Sequence, residues 1–111
     1  MEPTNPLEAI RRLAADEDRC VLFRPVLEEL RERGMDSDDL REIIRSEVGS
    51  SHCYQSKATE KYYPGTVSDY YSLWIEECGV RMFLKMLISD IGSENERLVV
   101  TSFKKDNRYD C

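Results

Sequence analysis

The sequence predicts an α+β fold, in which three short N-terminal helices pack on an antiparallel sheet of three or four strands. Up to residue 50, apolar residues recur every three or four positions, which is the spacing of one side of a helix. From residue 51 onward they alternate with polar residues, which is the spacing of a strand. The 111 residues fit one domain, which we divide into a helical part (1–50), a β-meander (51–105) and a polar tail (106–111).

Capping residues and apolar stripes delimit the three helices. Asn5 is the predicted N-cap of the first helix, Gly34 follows the second, and Asp36 or Ser37 caps the third. The predicted ranges are 6–15 for the first helix, 23–33 for the second, and a third helix that ends before Gly49.

Four segments of the second half have the alternation of strands. In the segment from Val80 to Ile88 one face is entirely apolar, so this strand is predicted to be central and to face the helices. Strict alternation also places Cys53, Gln55 and Lys57 on one face of the first strand. The predicted strands are 52–57, 66–76, 80–88 and 98–104.

The charge balance and the lack of long apolar segments narrow the functions to consider. The formal net charge is −6, which argues against a broad electrostatic grip on nucleic acid, so any RNA or DNA site must be local. No apolar stretch approaches the roughly 20 residues of a membrane helix, and the acidic start of the chain differs from a basic signal peptide. We therefore expect a cytoplasmic protein without a membrane partner.

Cysteine spacing predicts free thiols and no metal site. The four cysteines, at positions 20, 53, 78 and 111, include no C-x-x-C pair. The only histidine, His52, is next to Cys53, but neighbours on a strand point to opposite faces and do not easily ligate one metal. We expect neither a metal nor another cofactor.

Functional chemistry is expected in the second half of the chain. Residues 51–111 contain all five lysines and all six tyrosines, whereas residues 1–50 contain 13 acidic residues against eight arginines. Lysine and tyrosine are also common on strand surfaces and sheet edges, so a structural explanation of this asymmetry stays open.

Four short motifs on the predicted strands follow one another in a recognisable order. They are Tyr54-Gln55-Ser56, Asp69-Tyr70-Tyr71, Phe83-Leu84-Lys85 and Ser102-Phe103-Lys104. Their succession resembles the Y-K-S, D-V-Y, Y-L-K and S-F-K landmarks of the MqsR family of messenger-RNA interferase toxins. The resemblance spans nearly the whole chain.

The resemblance implies a RelE-like fold and a metal-independent endoribonuclease that a cognate antitoxin protein neutralises. The family's site uses a lysine in Y-K-S, a glutamine just before D-V-Y, the tyrosine of Y-L-K and the lysine of S-F-K. The corresponding residues of this chain are Gln55, Ser68, Phe83 and Lys104. Lys104 alone retains the family's residue.

Cleavage of RNA without a metal requires a base for the 2′-hydroxyl, cations on the phosphate and an acid for the leaving oxygen. Lys57 lies on the same strand face as Gln55, so we assign the catalytic phosphate contacts to Lys57 and Lys104. Glu60 is a possible base. The predicted RNA-binding residues are Lys61, Tyr62, Tyr63 and Lys85.

Three hypotheses about function follow. The first is the toxin of a type II toxin–antitoxin pair that cleaves single-stranded mRNA. The second is a catalytically inactive binding module that keeps the toxin fold and acts through a protein partner. The third is a protein unrelated to toxins that uses its tyrosines for contacts at a sheet edge.

Overall fold

The computed structural model describes residues 1–109, and in it three helices cover one face of a five-stranded sheet. The helices are α1 (Leu7–Ala14), α2 (Arg24–Glu32) and α3 (Ser37–Ser46). The strands are β1 (Cys20–Leu22), β2 (Cys53–Ala58), β3 (Val67–Ile75), β4 (Val80–Ser89) and β5 (Arg97–Lys105). Asp110 and Cys111, the end of the predicted tail, lie outside the described residues. The α+β class and the three predicted helices are confirmed.

The sheet is mixed, so the prediction of three or four antiparallel strands is wrong in number and direction. Its order is β1-β5-β4-β3-β2, and the four later strands form the predicted antiparallel meander. The additional strand β1 runs parallel to β5, with Cys20 opposite Leu98. Three residues are too few for an alternation to be recognised, and the partner strand is distant in sequence. A local pattern therefore does not reveal β1.

Asn5 does not cap α1, which corrects the prediction for this residue. The N-cap of α1 is Pro6, whose side chain accepts no hydrogen bond. The buried Asn5 amide instead donates to the Val67 carbonyl (2.9 Å) and to Asp69 (2.8 Å), and its Oδ1 accepts the Ile88 N–H (3.1 Å). The segment before α1 is thereby attached to the sheet.

The ends of α2 and α3 agree with the sequence. Gly34 follows the C-cap Arg33 with a φ of +72°, a left-handed conformation that glycine adopts without steric strain. Asp36 caps α3 in a capping box with Asp39, with both hydrogen bonds at 2.9 Å.

The predicted central strand β4 lies in the middle of the sheet. Its core-facing residues are almost fully buried among apolar residues of all three helices, which confirms the predicted face. These β4 residues are Met82, Leu84, Met86 and Ile88.

A β-bulge in β2 overturns the predicted alternation of this strand. Cys53 pairs with Tyr71 on the core side, whereas Gln55 pairs with Tyr70, which faces the other way. The extra residue between these pairs moves Gln55 and Lys57 to the face opposite Cys53.

Tyr71 brings a buried hydroxyl into the core. Its side chain is fully buried, and its oxygen is without a hydrogen-bond partner among residues 1–109. Burial, together with the nearby Asp69, raises the pKa of the phenol. The hydroxyl is therefore protonated and contributes an uncompensated desolvation cost.

We expect Tyr71→Phe to raise the free energy of unfolding by about 1 kcal/mol, because it removes this unpaired hydroxyl and keeps the ring. Urea denaturation of the two proteins measures the difference. Tyr70→Phe, on the opposite sheet face, is the control and should leave stability nearly unchanged. A less stable Tyr71→Phe variant would show that the hydroxyl forms a bond in solution.

Candidate functional site

The sheet face opposite the helices, which we term the open face, is formed by alternate residues of β2 to β5. Cross-strand pairs on this face are Gln55 with Tyr70, Tyr70 with Lys85, and Phe83 with Lys104. Within the described chain, all three helices pack on the other side. Its residues are Gln55, Lys57, Ser68, Tyr70, Ser72, Trp74, Arg81, Phe83, Lys85, Leu87, Val99, Ser102 and Lys104.

A row of aromatic rings crosses the open face. The ring centroids of Tyr54 and Tyr70 are 6.2 Å apart, and those of Tyr70 and Phe83 are 5.7 Å apart. Both pairs meet edge to face, which is a favourable geometry for aromatic rings. The row presents aromatic surface from three neighbouring strands.

Three lysines extend over this aromatic row. The Nζ atoms of Lys57 and Lys85 lie 5.9 and 5.2 Å from the Tyr70 ring centroid, and that of Lys104 lies 5.8 Å from the Phe83 centroid. These are cation–π distances. Lys57, Lys85 and Lys104, which were predicted as site residues, therefore share one surface.

Two cavities adjoin on the open face, with Tyr70 lining both. The tail cavity, of about 580 Å³, is lined by Tyr54, Gln55, Tyr70, Phe83, Lys104, Lys105, Asp106, Asn107 and Arg108. The loop cavity, of about 480 Å³, is lined by Phe23, Lys57, Ala58, Thr59, Glu60, Lys61, Tyr62, Ser68, Tyr70, Lys85, Thr101 and Ser102.

The cavities are basic although the chain is acidic. Six cationic side chains line them, against the two carboxylates Asp106 and Glu60. The cations are Arg108 and all five lysines of the chain. Because the excess of acid lies in residues 1–50, which form the helices on the other side, the molecule has an acidic side and a basic side.

The loop of residues 59–66 crosses the open face. It joins β2 to β3 near one edge of the sheet, yet the Tyr62 ring lies 5.9 Å from Phe23, which follows β1 at the opposite edge. Tyr62 and Tyr63 have φ values of 52° and 44°, a left-handed conformation that is uncommon outside glycine and costs energy. Such strained residues are concentrated at functional sites.

The predicted loop residues have different surroundings. Lys61 and Tyr62 line the loop cavity, and Tyr62 is 72% exposed. Tyr63 is half-buried, packs on Phe23 with a centroid distance of 6.3 Å, and lines neither cavity. The structure thus brings five of the six predicted site residues to the cavities and leaves Tyr63 as a packing residue.

The four positions that correspond to the family's catalytic residues are all on the open face. Gln55, Phe83 and Lys104 line the tail cavity, and Ser68 lines the loop cavity. Ser68 is buried, and its hydroxyl is 2.8 Å from that of Thr59 at the base of the loop.

Sequence reasoning did not identify Asp106 and Arg108 as site residues, since the tail has no pattern. Burial alone would raise the pKa of the Asp106 carboxyl, but hydrogen bonds from Arg108 and Ser72 outweigh burial and hold this pKa below its usual value. Asp106 is therefore ionised at neutral pH and keeps Arg108 beside the tail cavity.

The cysteines and the histidine of the described chain do not form a metal-binding cluster. Cys20, Cys53 and Cys78 are free, as predicted, and burial raises the pKa of Cys20 to about 11. The His52 Nδ1 accepts the Gly49 N–H at 3.0 Å, and burial, together with the charge of Arg81, lowers the pKa of His52. Within residues 1–109, no three His, Cys, Asp or Glu side chains are grouped as metal ligands would be.

No helix of the described chain is long and apolar enough to span a membrane. Comparison with models of protein families gives no match, and comparison with curated proteins gives none. Membership of the MqsR family and a RelE-like fold therefore stay predictions.

Proposed function

We propose that this protein is a metal-independent endoribonuclease that binds and cleaves single-stranded mRNA on the open face. In this proposal it is a cytoplasmic toxin that a cognate antitoxin protein neutralises. The observation that carries the proposal is the placement of three lysines over a row of half-buried aromatic rings on the open face.

This arrangement supports RNA binding because it matches the two parts of a single strand. Lysine ammonium groups attract phosphates, and exposed aromatic rings stack on unpaired bases. The acidic net charge of the chain disfavours RNA binding elsewhere on the surface, but the cavities have a local excess of cationic side chains. The crossing loop narrows the open face, which favours a single RNA strand over a wider duplex.

The residues of the two cavities can carry out transesterification. Glu60 would take the proton of a 2′-hydroxyl, whose oxygen then attacks the phosphorus atom. Lys57 and Lys104 would neutralise the charge that develops on the phosphate, and Lys85 would hold the adjoining part of the RNA. The bond between phosphorus and the 5′-oxygen breaks, the leaving oxygen takes a proton from water, and a 2′,3′-cyclic phosphate remains; Glu60 then returns its proton to the solvent.

One observation favours the second candidate, a binding module without catalysis. The positions that carry lysine, glutamine and tyrosine in the MqsR family are Gln55, Ser68 and Phe83 in this chain, and Ser68 is tied to the loop by Thr59. A protein of this kind would bind RNA or a protein partner and cleave nothing.

We expect the purified protein to cleave a single-stranded RNA oligonucleotide in EDTA, because the ammonium groups of Lys57, Lys85 and Lys104 can stabilise the charge that develops on the phosphate. Product analysis should show 2′,3′-cyclic phosphate ends. A DNA oligonucleotide of the same sequence is the matched control and should remain intact, since it lacks the attacking hydroxyl.

Two results would contradict this mechanism. Activity that is lost in EDTA and restored by a divalent ion would show that a metal is required. RNA that is bound but not cleaved under any condition would favour the binding module.

A further inference from the structure

The last described residues fold back onto the open face. The Asp106 N–H donates to the Arg81 carbonyl of β4 at 2.9 Å, and the hydroxyl of Ser72 in β3 donates to the Asp106 carboxylate. Asp106 is 3% exposed, so its charge is buried at the end of the tail cavity. Contacts with two strands thus hold the segment Asp106–Arg108 against the site.

The buried carboxylate determines the position of Arg108. The Nε and Nη2 atoms of Arg108 each lie 3.1 Å from an oxygen of Asp106, and the Arg108 N–H donates to the same group at 3.1 Å. This two-pronged pairing restrains the plane of the guanidinium. The central carbon of the guanidinium lies 3.5 Å from the Tyr54 ring centroid, which is a stacking distance.

Arg108 remains accessible in this position. Its side chain is 44% exposed and lines the tail cavity together with Tyr54 and Lys104. Tyr54 in turn begins the aromatic row that continues to Tyr70 and Phe83. The stacked Arg108 thus continues the aromatic row at its Tyr54 end.

We propose that the guanidinium of Arg108, stacked on Tyr54, binds a nucleobase of single-stranded RNA at the Tyr54 end of the aromatic row. This inference rests on the proposed function. A guanidinium plane stacks on bases as an aromatic ring does, and its charge adds attraction to the strand. Asp106 is a positioning residue that acts through Arg108, and Lys104, which lines the same cavity, contacts a phosphate next to this base.

The test uses an octaadenylate with 2′-O-methyl groups, which prevent cleavage, and one 2-aminopurine whose fluorescence falls when it stacks. We expect Arg108→Ala to weaken binding about tenfold and to reduce the quenching. Arg108→Lys should weaken binding nearly as much, because it keeps the charge and loses the plane. Arg24→Ala, an exposed position on α2 with the same change in charge, is the control and should bind as the unmodified protein does.

Each other result overturns the inference. Unchanged affinity and quenching in both Arg108 variants would mean that the residue only holds the segment of residues 106–108 against the sheet. Tighter binding by Arg108→Ala would mean that the guanidinium occupies the place of a base. If both Arg108 variants bind normally but loss of the open-face lysines prevents binding, the inference about Arg108 fails and the proposed function stands. If the unmodified protein does not bind the octamer, both the inference and the proposed function fail.

Discussion

Replacing Asp69 by alanine should lower the free energy of unfolding by about 3–5 kcal/mol. Asp69 is fully buried and accepts four hydrogen bonds. Its Oδ1 accepts from the Thr4 N–H (2.9 Å) and the Ser56 hydroxyl (2.5 Å), and its Oδ2 accepts from the N–H and the side-chain amide of Asn5 (both 2.8 Å).

The loss is large because the two buried donors of Asn5 and the partly buried donors of Thr4 and Ser56 would lose their acceptor. The same substitution would also release the segment before α1 from the sheet. Urea denaturation followed by circular dichroism measures the change, which is a large part of the 5–15 kcal/mol that is typical of a folded domain.

Two control variants make this prediction specific. Ser56→Ala removes one of the four donors and should cost only about 1 kcal/mol. Asp38→Ala removes a carboxylate that is 71% exposed on α3 and should have little effect. If Asp69→Ala is no less stable than Asp38→Ala, the described network does not hold the N-terminal segment.

Replacing Lys57, Lys85 and Lys104 together by alanine should abolish RNA cleavage and weaken binding about 100-fold. The three ammonium groups lie over the aromatic row, where they would contact the phosphates of a bound strand. If Lys57 and Lys104 share the reacting phosphate and Lys85 contacts its neighbour, the slope of log K against log salt concentration should become shallower by about 1.4, since each neutralised phosphate of a single strand contributes roughly 0.7. Filter binding at several salt concentrations measures both quantities.

The matched control places the same change in charge on the other side of the molecule. Arg24, Arg31 and Arg45 are exposed on α2 and α3, and their joint replacement by alanine should leave cleavage and the salt slope unchanged. In cells, expression without an antitoxin should arrest growth for the arginine triple variant and not for the lysine triple variant. Equal losses in both variants would indicate a general charge effect, and no loss in either would remove the open face as the RNA site.

The melting temperature separates a loss of site from a loss of fold. Lys57 and Lys104 are exposed and Lys85 is half-buried, so their removal should cost little stability. A large fall in the melting temperature of the lysine variant would assign these residues a structural role instead.

Part of the site followed from local reasoning. The sequence predicts Lys57, Lys85 and Lys104 as site residues, and they lie together because neighbouring antiparallel strands place paired residues on one face. The assignment of Lys57 to the face of Gln55 is confirmed, although the bulge separates both from Cys53.

The positions of other site residues could not be predicted from a local pattern in the sequence. Tyr63 was expected to bind RNA, but the crossing loop turns it towards Phe23. Asp106 and Arg108 are in a polar tail without periodicity, and their positions depend on Ser72, Arg81 and Tyr54, which lie far back along the chain.

The sequence by itself determined the helices, the four longer strands and the apolar face of β4, because a period of 3.6 or 2 in side-chain character is a local property of the chain. Only the tertiary structure decided the parallel pairing of β1, the bulge in β2, the use of Asn5 as an anchor and the placement of residues 106–108 against the open face. Each of these depends on hydrogen bonds between residues distant in sequence. Buried polar groups must form hydrogen bonds, and their partners here come from distant parts of the chain. The spacing of residues within one segment therefore does not predict which partners they find.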